Sequence, residues 1–338
     1  MPRAVTGRPL RVAVVGCGRC AQDHLQVYHG LEDARLVGVA DVVSRQATSV
    51  AEQFGCTSYT DHRQMLDREQ PDAISICTPP ATHAEIALEA LGRGVHVLCE
   101  KPFAISVAEA TKMVDAAAGM NCVLLMASKF RFVDDVVKAK GIVDSGILGR
   151  LVLFENVFCS RVDMRERWNS NREVAGGGVL FDNGTHSVDI ARYLLGPITV
   201  VQAQHGIQVQ PLEVEDTTRV LFKTASGVMG SVDLSWSIHK DAATYVSIFG
   251  TEGMLSLGWK ESRYRQSEKL NWVQFGSGYD KQQAFRRQLT HFLDCVRGTS
   301  VPMITAVDGL ESVRVIEAAY RSSAVNKWVD LEPVPLDE

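Results

Sequence analysis

Residues 10–21 of this chain read LRVAVVGCGRCA, a short β-branched run that leads into the pattern Gly-x-Gly-x-x-Ala. Residues that can form a helix follow directly. Gly16 permits a tight turn, and Gly18 has no side chain that would keep the backbone away from a pyrophosphate. Ala21 is small enough for the helix to lie close to the strand. The stretch therefore predicts the strand, turn and first helix of a dinucleotide-binding domain.

The residues that follow support the same prediction. A second apolar run, residues 34–40, ends at Asp41, which lies 20 residues beyond Ala21. A carboxylate at this distance accepts hydrogen bonds from the adenosine ribose, and its charge repels a 2′-phosphate. Asp41 therefore favours NAD over NADP. It could also cap the next helix, and the two roles are compatible.

The bulk properties narrow the classes of protein. The 338 residues are 46% hydrophobic and 22% charged, enough for about two domains with substantial cores. The net charge of −5 and the lack of a basic run argue against a nucleic-acid partner. No apolar run is long enough to span a membrane, and no signal peptide is recognisable, so we expect a cytoplasmic protein. The eight cysteines then behave as small hydrophobes, and we expect neither a metal nor a disulfide.

The order of apolar runs predicts the fold class. Up to about residue 128, short apolar runs alternate with helix-like stretches, which predicts an α/β, doubly wound parallel sheet. The carboxyl ends of its strands should face one crevice. Beyond residue 129, runs such as 232–238 alternate with period two, which predicts an open, mostly antiparallel sheet interrupted by helices. We expect domains at 1–128 and 129–338, with a last helix near 308–325 that can pack back on the first.

Two short constellations could carry chemistry. Glu100-Lys101-Pro102 follows a strand, where the lysine could hydrogen-bond a reacting hydroxyl and stabilise a developing alkoxide. Glu100 could hold its ammonium group, although an exposed lysine before a turn would look the same. Asp182 and His186 lie four residues apart, on one face of a helix, where a carboxylate can orient an imidazole and raise its basicity. A capping aspartate beside a buried histidine is the alternative.

Several motifs occur in the order typical of one family. They are the Gly-rich turn, Thr78-Pro79-Pro80 with His83, Glu100-Lys101-Pro102, Lys129-Phe130-Arg131 and the Gly-rich Asp182-x-x-x-His186. Over nearly its whole length the chain resembles the Gfo/Idh/MocA family, named for glucose–fructose oxidoreductase, inositol dehydrogenase and a rhizopine-catabolism protein. The resemblance implies a Rossmann domain, then an α/β domain with a large, open, mostly antiparallel sheet. It also implies NAD(P)-dependent oxidation or reduction of a sugar, a cyclitol or a related polyol.

The resemblance also implies roles for individual residues. His186, with Asp182 as its partner, is the expected acid or base, and Lys101 the lysine at the reacting hydroxyl. The expected cofactor-binding residues are Gly16, Gly18, Arg19, Cys20, Asp41, Ser44, Arg45, Thr78, Pro79, His83, Glu100 and Lys101. The expected substrate-binding residues are Lys101, Arg131, Arg161, Trp168, Asp182, Asn183 and His186. Ser44 and Arg45 leave NADP open, because relatives that use it often have such residues there. The resemblance further implies a homodimer or homotetramer.

Several readings stay open at the level of sequence. The arginines of residues 161–172 could recognise the diphosphate of a sugar nucleotide, or could simply be solvated. An NAD-dependent glycosidase of the same fold oxidises, eliminates and re-reduces its substrate within one turnover. A dinucleotide sensor without catalysis is a third alternative, although Lys101 and His186 are both present. Net formation of NADH separates the dehydrogenase from the other two.

Overall fold

The computed structural model describes residues 7–240, 242–269 and 271–331. The chain divides into two compact units, each built on its own sheet. The first unit comprises the chain up to Lys129 together with Lys281–Glu311, and the second comprises Phe130–Asp280 and the chain from Ser312 onward.

The elements alternate as the sequence predicts in the first part of the chain and are richer in strands in the second. The strands are β1 Leu10–Val15, β2 Ala34–Ala40, β3 Thr57–Tyr59, β4 Ala73–Ile76, β5 His96–Glu100, β6 Leu124–Ala127, β7 Leu151–Cys159, β8 Ile198–His205, β9 Thr217–Thr224, β10 Met229–Ser235, β11 Thr244–Gly250, β12 Gly253–Gly258, β13 Ser262–Gln266, β14 Val273–Gly276 and β15 Val329–Asp330. The helices are α1 Arg19–His29, α2 Ser44–Phe54, α3 His62–Glu69, α4 His83–Gly92, α5 Val107–Gly119, α6 Asp134–Asp144, α7 Arg172–Ala175, α8 Val179–Leu195, α9 Lys281–Val296 and α10 Ala306–Val325.

The first sheet has six parallel strands in the order β3-β2-β1-β4-β5-β6, so the predicted doubly wound fold is confirmed. Residues that directly follow its strands include Gly16 after β1, Asp41 after β2 and Lys101 after β5. Because all strands run the same way, these residues lie at one edge of the sheet. This edge carries the candidate cofactor site.

A late helix completes the core of the first unit. Phe285, Leu289 and Phe292 of α9 are at most 2% exposed and pack with Leu25 and Tyr28 of α1. The expected division at residue 128 put α9 in the second domain, whereas the structure groups it with the first unit. The amphipathic pattern of α9 predicts a helix with one apolar face, but it does not indicate which of the two sheets that face covers. Tertiary packing decides this.

The second sheet has nine strands in the order β14-β13-β12-β11-β7-β10-β9-β8-β15. Among the described strands of this second sheet, only β7 and β10 pair in parallel, which confirms the predicted mostly antiparallel sheet. Along β9 every second residue is buried, because one face is covered and the other is open. α8 packs against β9 and β10 on the covered face.

The last long helix is shared between the two units. Its residues up to Glu311 belong to the first unit, where an added Cβ at Gly309 would lie 2.7 Å from Phe103 Cγ. Its residues from Ser312 onward belong to the second. None of the helices within the described ranges has the length and apolarity to cross a membrane. All eight cysteines are free thiols.

Candidate active site

The glycine turn after β1 has the shape that a dinucleotide requires. Gly16 has a φ of 93°, and an added Cβ would lie 2.7 Å from the carbonyl carbon of Cys77, so only glycine fits. Gly18 is the N-cap of α1, and nothing lies within 4 Å of where its Cβ would be. Gly18 and Arg19 are exposed, and Cys20 is half-buried. The first turn of α1 therefore faces open space at its positive dipole end, which suits phosphate.

Asp41 is held firmly at the end of β2. Its Oδ2 accepts the N–H of Cys17 at 2.8 Å, and its Oδ1 accepts the N–H of Val43 at 2.8 Å. The carboxylate thus links the glycine turn to the start of α2 and stays half-buried, with lone pairs left for a ribose hydroxyl. Ser44 and Arg45, in the first turn of α2, are exposed.

A buried polar network fixes the end of β5. Glu100 is 7% exposed, and its Oε1 lies 3.0 Å from His24 Nε2. The other ring nitrogen of His24 lies 3.0 Å from Ser75 Oγ, and Glu100 Oε2 accepts the backbone N–H of Lys101 at 3.1 Å. Burial raises the pKa of Glu100, but the hydrogen bond and charge of His24 and the charges of Lys101 and Lys129 bring it below its usual value. Glu100 therefore carries a negative charge, and its carboxylate also holds the backbone of Lys101.

Cys20, His24 and Glu100 have the donor types of a metal site, and their donor atoms lie within 4.8 Å of one another. His24, however, uses both ring nitrogens in the network with Ser75 and Glu100. Burial raises the pKa of the Cys20 thiol well above its ordinary value, which disfavours the thiolate that a metal needs. We assign this cluster to the support of Lys101 and not to a metal.

His83 is buried between two loops of the first unit. We expected it to bind the cofactor, but it is fully buried, with Nε2 2.8 Å from the Thr78 carbonyl oxygen and Nδ1 2.8 Å from that of Pro102. Burial lowers its pKa. His83 therefore links the loop after β4 to the loop after β5, and its contact with the cofactor stays a prediction. Thr78 and Pro79, on the first of these loops, are half-buried and remain candidates for cofactor contact.

The second unit carries Asp182 and His186 on α8, which begins at Val179. Asp182 lies in the first turn of the helix and, with Asn183, is half-buried. His186 is 8% exposed, and the edge of its ring packs on Phe130 with the centroids 5.0 Å apart. The spacing of four residues puts Asp182 and His186 on one helix face, as predicted.

A carboxylate that the sequence reading missed anchors the start of α8. Glu215 Oε1 accepts the N–H groups of Gly178 at 3.1 Å and Leu180 at 3.0 Å, and its backbone carbonyl accepts the N–H of Val179. An added Cβ at Gly178 would lie 2.0 Å from the Glu215 carbonyl oxygen, and one at Gly177 would lie 2.1 Å from Tyr320 Oη. These two glycines therefore leave the space that the Glu215 backbone and the Tyr320 hydroxyl occupy.

Arg131 is buried and paired with an acidic residue of the second unit. We expected it to bind substrate, but it is 4% exposed, and its guanidinium forms a bidentate ion pair with Asp189, with Nε–Oδ1 at 2.9 Å and Nη2–Oδ1 at 2.6 Å. It also lies 5.2 Å from the ring centroid of Tyr193. A buried guanidinium needs such a partner, and a single sequence does not reveal the pairing. Arg161 is exposed and Trp168 is 45% exposed, so both can reach a ligand.

Comparisons with known proteins agree with this architecture. A family model described as "Oxidoreductase family, NAD-binding Rossmann fold" matches residues 10–128, and one described as "GFO/IDH/MocA C-terminal domain" matches residues 136–256. The D-glucoside 3-dehydrogenase of Escherichia coli K12 is 38% identical over 200 residues, a match that spans 58% of this chain and only 57% of that relative's length.

Longer matches cover nearly the whole chain. The scyllo-inositol 2-dehydrogenase (NAD(+)) of Bacillus subtilis is 26% identical over 97% of this chain and 96% of its own. The crystal structure of GenD2 from gentamicin A biosynthesis in complex with NAD is 28% identical, with a TM-score of 0.86 over 98% of this chain and 99% of that one. The chain therefore belongs to the Gfo/Idh/MocA family of oxidoreductases, and its first unit is the family's NAD-binding Rossmann domain.

Proposed function

We propose that this protein is an NAD-dependent dehydrogenase that moves a hydride between the nicotinamide and a secondary alcohol of a sugar, a cyclitol or a derivative of one. The relatives named above act on a glucoside and an inositol, both polyhydroxylated rings, and the similar GenD2 structure holds NAD. The observation that carries the proposal is the presence of two sets of chemical groups: a lysine that directly follows a buried, charged carboxylate in the first unit, and an aspartate and a histidine four residues apart on a capped helix in the second.

The residues of the first unit fit NAD. The open first turn of α1, from Gly18 to Cys20, would hold the pyrophosphate, and Asp41 would accept hydrogen bonds from the adenosine ribose. The charge of Asp41 favours NAD, while the exposed Ser44 and Arg45 leave room for NADP. Thr78, Pro79 and Lys101, at neighbouring strand ends, complete the proposed cofactor side. NAD, when bound, supplies the hydride acceptor.

The proton is proposed to move through side chains of this chain. His186, oriented by Asp182, takes the hydroxyl proton of the substrate as the carbon–hydrogen bond breaks, and the ammonium of Lys101 stabilises the negative charge that develops on oxygen. Asn183, Arg161 and Trp168 are the proposed substrate contacts outside this group. The exposed guanidinium of Arg161 and the half-buried amide of Asn183 can hydrogen-bond sugar hydroxyls, and the indole of Trp168 can stack on a sugar ring. A sugar nucleotide remains a candidate substrate because of the exposed arginines.

The protein is further proposed to form a homodimer or homotetramer in the cytoplasm. Leu153, Leu221 and Met229 share the open face of the second sheet, and each is at least 39% exposed. A second copy could cover this face. The eight free cysteines suit a reducing compartment. Light scattering at several concentrations tests the assembly, and a monomer at all of them would contradict it.

Site variants test the proposed roles. Lys101→Met and His186→Gln should each lower turnover about 100-fold or more, because each removes a group that handles the proton or the oxyanion. Turnover is followed as NADH formation on the best substrate among methyl glucosides, inositols and aldoses. Lys112→Met, a change on the exposed side of α5, is the matched control. Circular dichroism shows that each variant keeps its fold, and wild-type turnover of Lys101→Met would refute its role.

A further inference from the structure

Residues 160–168, which carry the proposed substrate contacts Arg161 and Trp168, begin as an extension of the second sheet. The N–H of Val162 donates to the carbonyl oxygen of Trp236, just past the end of β10, at 2.7 Å. The segment itself belongs to none of the described strands. The position of Trp168, six residues beyond Val162, therefore depends on what holds the residues between them.

A side chain from another loop of the second unit, Gln210, holds this part of the segment. Its Oε1 accepts the N–H of Met164 at 3.0 Å, and its Nε2 donates to the carbonyl oxygen of Val162 at 3.0 Å. The same Nε2 lies 3.3 Å from the Trp236 carbonyl oxygen and 3.0 Å from Ser237 Oγ. The amide therefore uses both its acceptor and its donor groups to join the segment to the end of β10.

The contact at Met164 determines the course of the rest of the segment. The Met164 side chain is buried, and its carbonyl oxygen accepts the N–H of Arg167 at 3.0 Å, in a turn that leads directly to Trp168. Asp163 and Arg165 form an ion pair with each other at 2.6 Å, inside the segment, so this pair does not fix the segment to the sheet. The hydrogen bond at Met164 therefore fixes the turn that carries the Trp168 indole.

Gln210 is itself held by a buried carboxylate, that of Asp216. Its Oδ2 accepts the backbone N–H of Gln210 at 2.8 Å, that of Val209 at 2.9 Å and the hydroxyl of Ser237 at 2.7 Å. Burial raises the pKa of Asp216, but these hydrogen bonds bring it below its usual value, so the carboxylate is charged. Asp216 directly follows Glu215, the carboxylate that anchors the start of α8. Two adjacent acids thus hold the two parts of the second unit that carry the proposed substrate contacts.

We propose that Gln210 is a positioning residue for substrate binding: its side-chain amide fixes residues 160–168, so that Arg161 and Trp168 meet the substrate in one arrangement. The inference rests on the proposed function, because it takes Arg161 and Trp168 as substrate contacts. A mobile segment would have to become ordered each time a substrate binds, and the entropy lost would weaken binding. Gln210 orders the segment in advance and so removes this cost.

The first test measures the order of the segment without substrate, by hydrogen exchange of the full-length protein resolved to single amides. In Gln210→Met the N–H of Val162 should exchange about tenfold faster, the effect of losing about one net hydrogen bond. Its own acceptor, the Trp236 carbonyl oxygen, is unchanged by the substitution. Gln208→Met is the matched control, because Nε2 of Gln208 donates to the carbonyl oxygens of Gln210 and Val214 inside its own loop. Exchange at Val162 should stay at the wild-type rate in this control.

The second test measures steady-state kinetics on the best substrate among methyl glucosides, inositols and aldoses. Gln210→Met should raise KM for that substrate about tenfold and leave KM for NAD and kcat within about twofold, because the lost order affects substrate binding alone. Gln210→Glu keeps the size and the acceptor of the side chain but places a carboxylate against the Val162 and Trp236 carbonyl oxygens, so it should show the same rise. Gln208→Met should keep the wild-type KM.

Wild-type exchange at Val162 in Gln210→Met, with the fold intact by circular dichroism, would overturn the proposal, and so would an unchanged KM for the substrate. Gln210→Asn, whose amide is one methylene closer to the backbone, replaces Gln210→Met where that variant does not fold. Hydrogen exchange needs neither substrate nor turnover, so it can fail independently of the proposed function. Faster exchange at Val162 in a protein that turns over no substrate would refute the proposed function and leave the ordering of the segment by Gln210 standing.

Discussion

The hydroxyl of Tyr320 donates a hydrogen bond to Glu215 Oε1 at 2.7 Å, at the N-terminus of the helix that carries His186. The same hydroxyl accepts the N–H of Gly178 at 3.1 Å. Glu215 brings a negative charge to the positive end of the helix dipole, and Tyr320 holds that charge in place. A residue from α10 therefore fixes the start of α8, and with it the placement of Asp182 and His186 in the second unit.

We expect Tyr320→Phe to lower the free energy of unfolding by about 1 kcal/mol, since it removes one hydrogen bond to a charged group and leaves the Gly178 N–H without that acceptor. Urea unfolding followed by circular dichroism measures the change. Tyr264→Phe is the matched control, because the Tyr264 hydroxyl has no hydrogen-bond partner within the described parts of the chain. Equal stability of the two variants would contradict the role of Tyr320.

Substitutions of the two glycines in the dinucleotide turn should affect different properties, stability at Gly16 and NAD binding at Gly18. Gly16→Ala forces a φ of 93° on alanine and sets its Cβ 2.7 Å from the Cys77 carbonyl carbon, so we expect a loss of about 1–3 kcal/mol of stability. Gly18→Ala meets open space and should melt at the wild-type temperature. It should nevertheless weaken NAD binding about tenfold or more, because the methyl group blocks the pyrophosphate. Thermal melts and titration calorimetry separate the two effects, and normal NAD binding by Gly18→Ala would refute the assignment.

Asp41 should decide the preference between cofactors. Asp41→Asn keeps a carbonyl oxygen for a backbone N–H but removes the charge, so we expect weaker NAD binding and a NAD-to-NADP affinity ratio reduced about tenfold or more. Asp41→Ala additionally removes the acceptors of the Cys17 and Val43 N–H groups and should also lower stability. Dissociation constants for both cofactors test this. An unchanged ratio in Asp41→Asn would rule out the ribose assignment.

Stability should fall on mild acidification. His96 Nδ1 accepts the N–H of Val123 at 2.8 Å, and burial lowers the pKa of His96 below 6.5. As the pH falls through the unfolded-state pKa of about 6.5, His96 binds a proton in the unfolded chain but not yet in the folded chain. The free energy of unfolding therefore decreases. Burial lowers the pKa of four further histidines, which act in the same direction: His62, His83, His205 and His291.

The dependence of stability on pH is measured as the slope of the urea midpoint between pH 7.5 and 5.5. This range extends about one unit either side of the histidine pKa. His96→Gln should flatten it, because the amide oxygen can still accept the Val123 N–H but does not titrate. His29→Gln, on the exposed end of α1, is the control and should leave the slope unchanged. A urea midpoint that rises on acidification would contradict the predicted loss of stability.

Local sequence patterns were sufficient to predict those site residues whose position depends on a single strand or helix. Gly16, Asp41 and Lys101 follow strands directly, so their common edge follows from strand order alone. The burial of His83 and Arg131 was not predicted, because a polar side chain near a motif looks the same in the sequence whether it faces solvent or a buried partner. The Thr78 and Pro102 carbonyls and Asp189 decide that question, and Arg131 and Asp189 are 58 residues apart.

Contacts between residues that are far apart in the chain could not be predicted from the sequence. Glu215 lies 37 residues after Gly178, and Tyr320 lies 142 residues after it, so no local spacing reveals the cap of α8. The same holds for α9, whose apolar stripe fits either sheet by pattern and packs on α1 in the structure. The strands β13 to β15 are short, and β13 carries two arginines and β15 an aspartate, which weakens their alternation signal.

The most direct test of the central claim is the absorbance of reduced nicotinamide when the purified wild-type protein meets NAD and a panel of inositols, aldoses, glycosides and UDP-sugars. The dehydrogenase account predicts stoichiometric accumulation of NADH with at least one class of substrate, faster with NAD than with NADP. Glycoside cleavage without net NADH would contradict it and point to redox-neutral glycoside hydrolysis by the same fold. Binding of NAD with no turnover of any panel member would contradict it as well and favour a sensor.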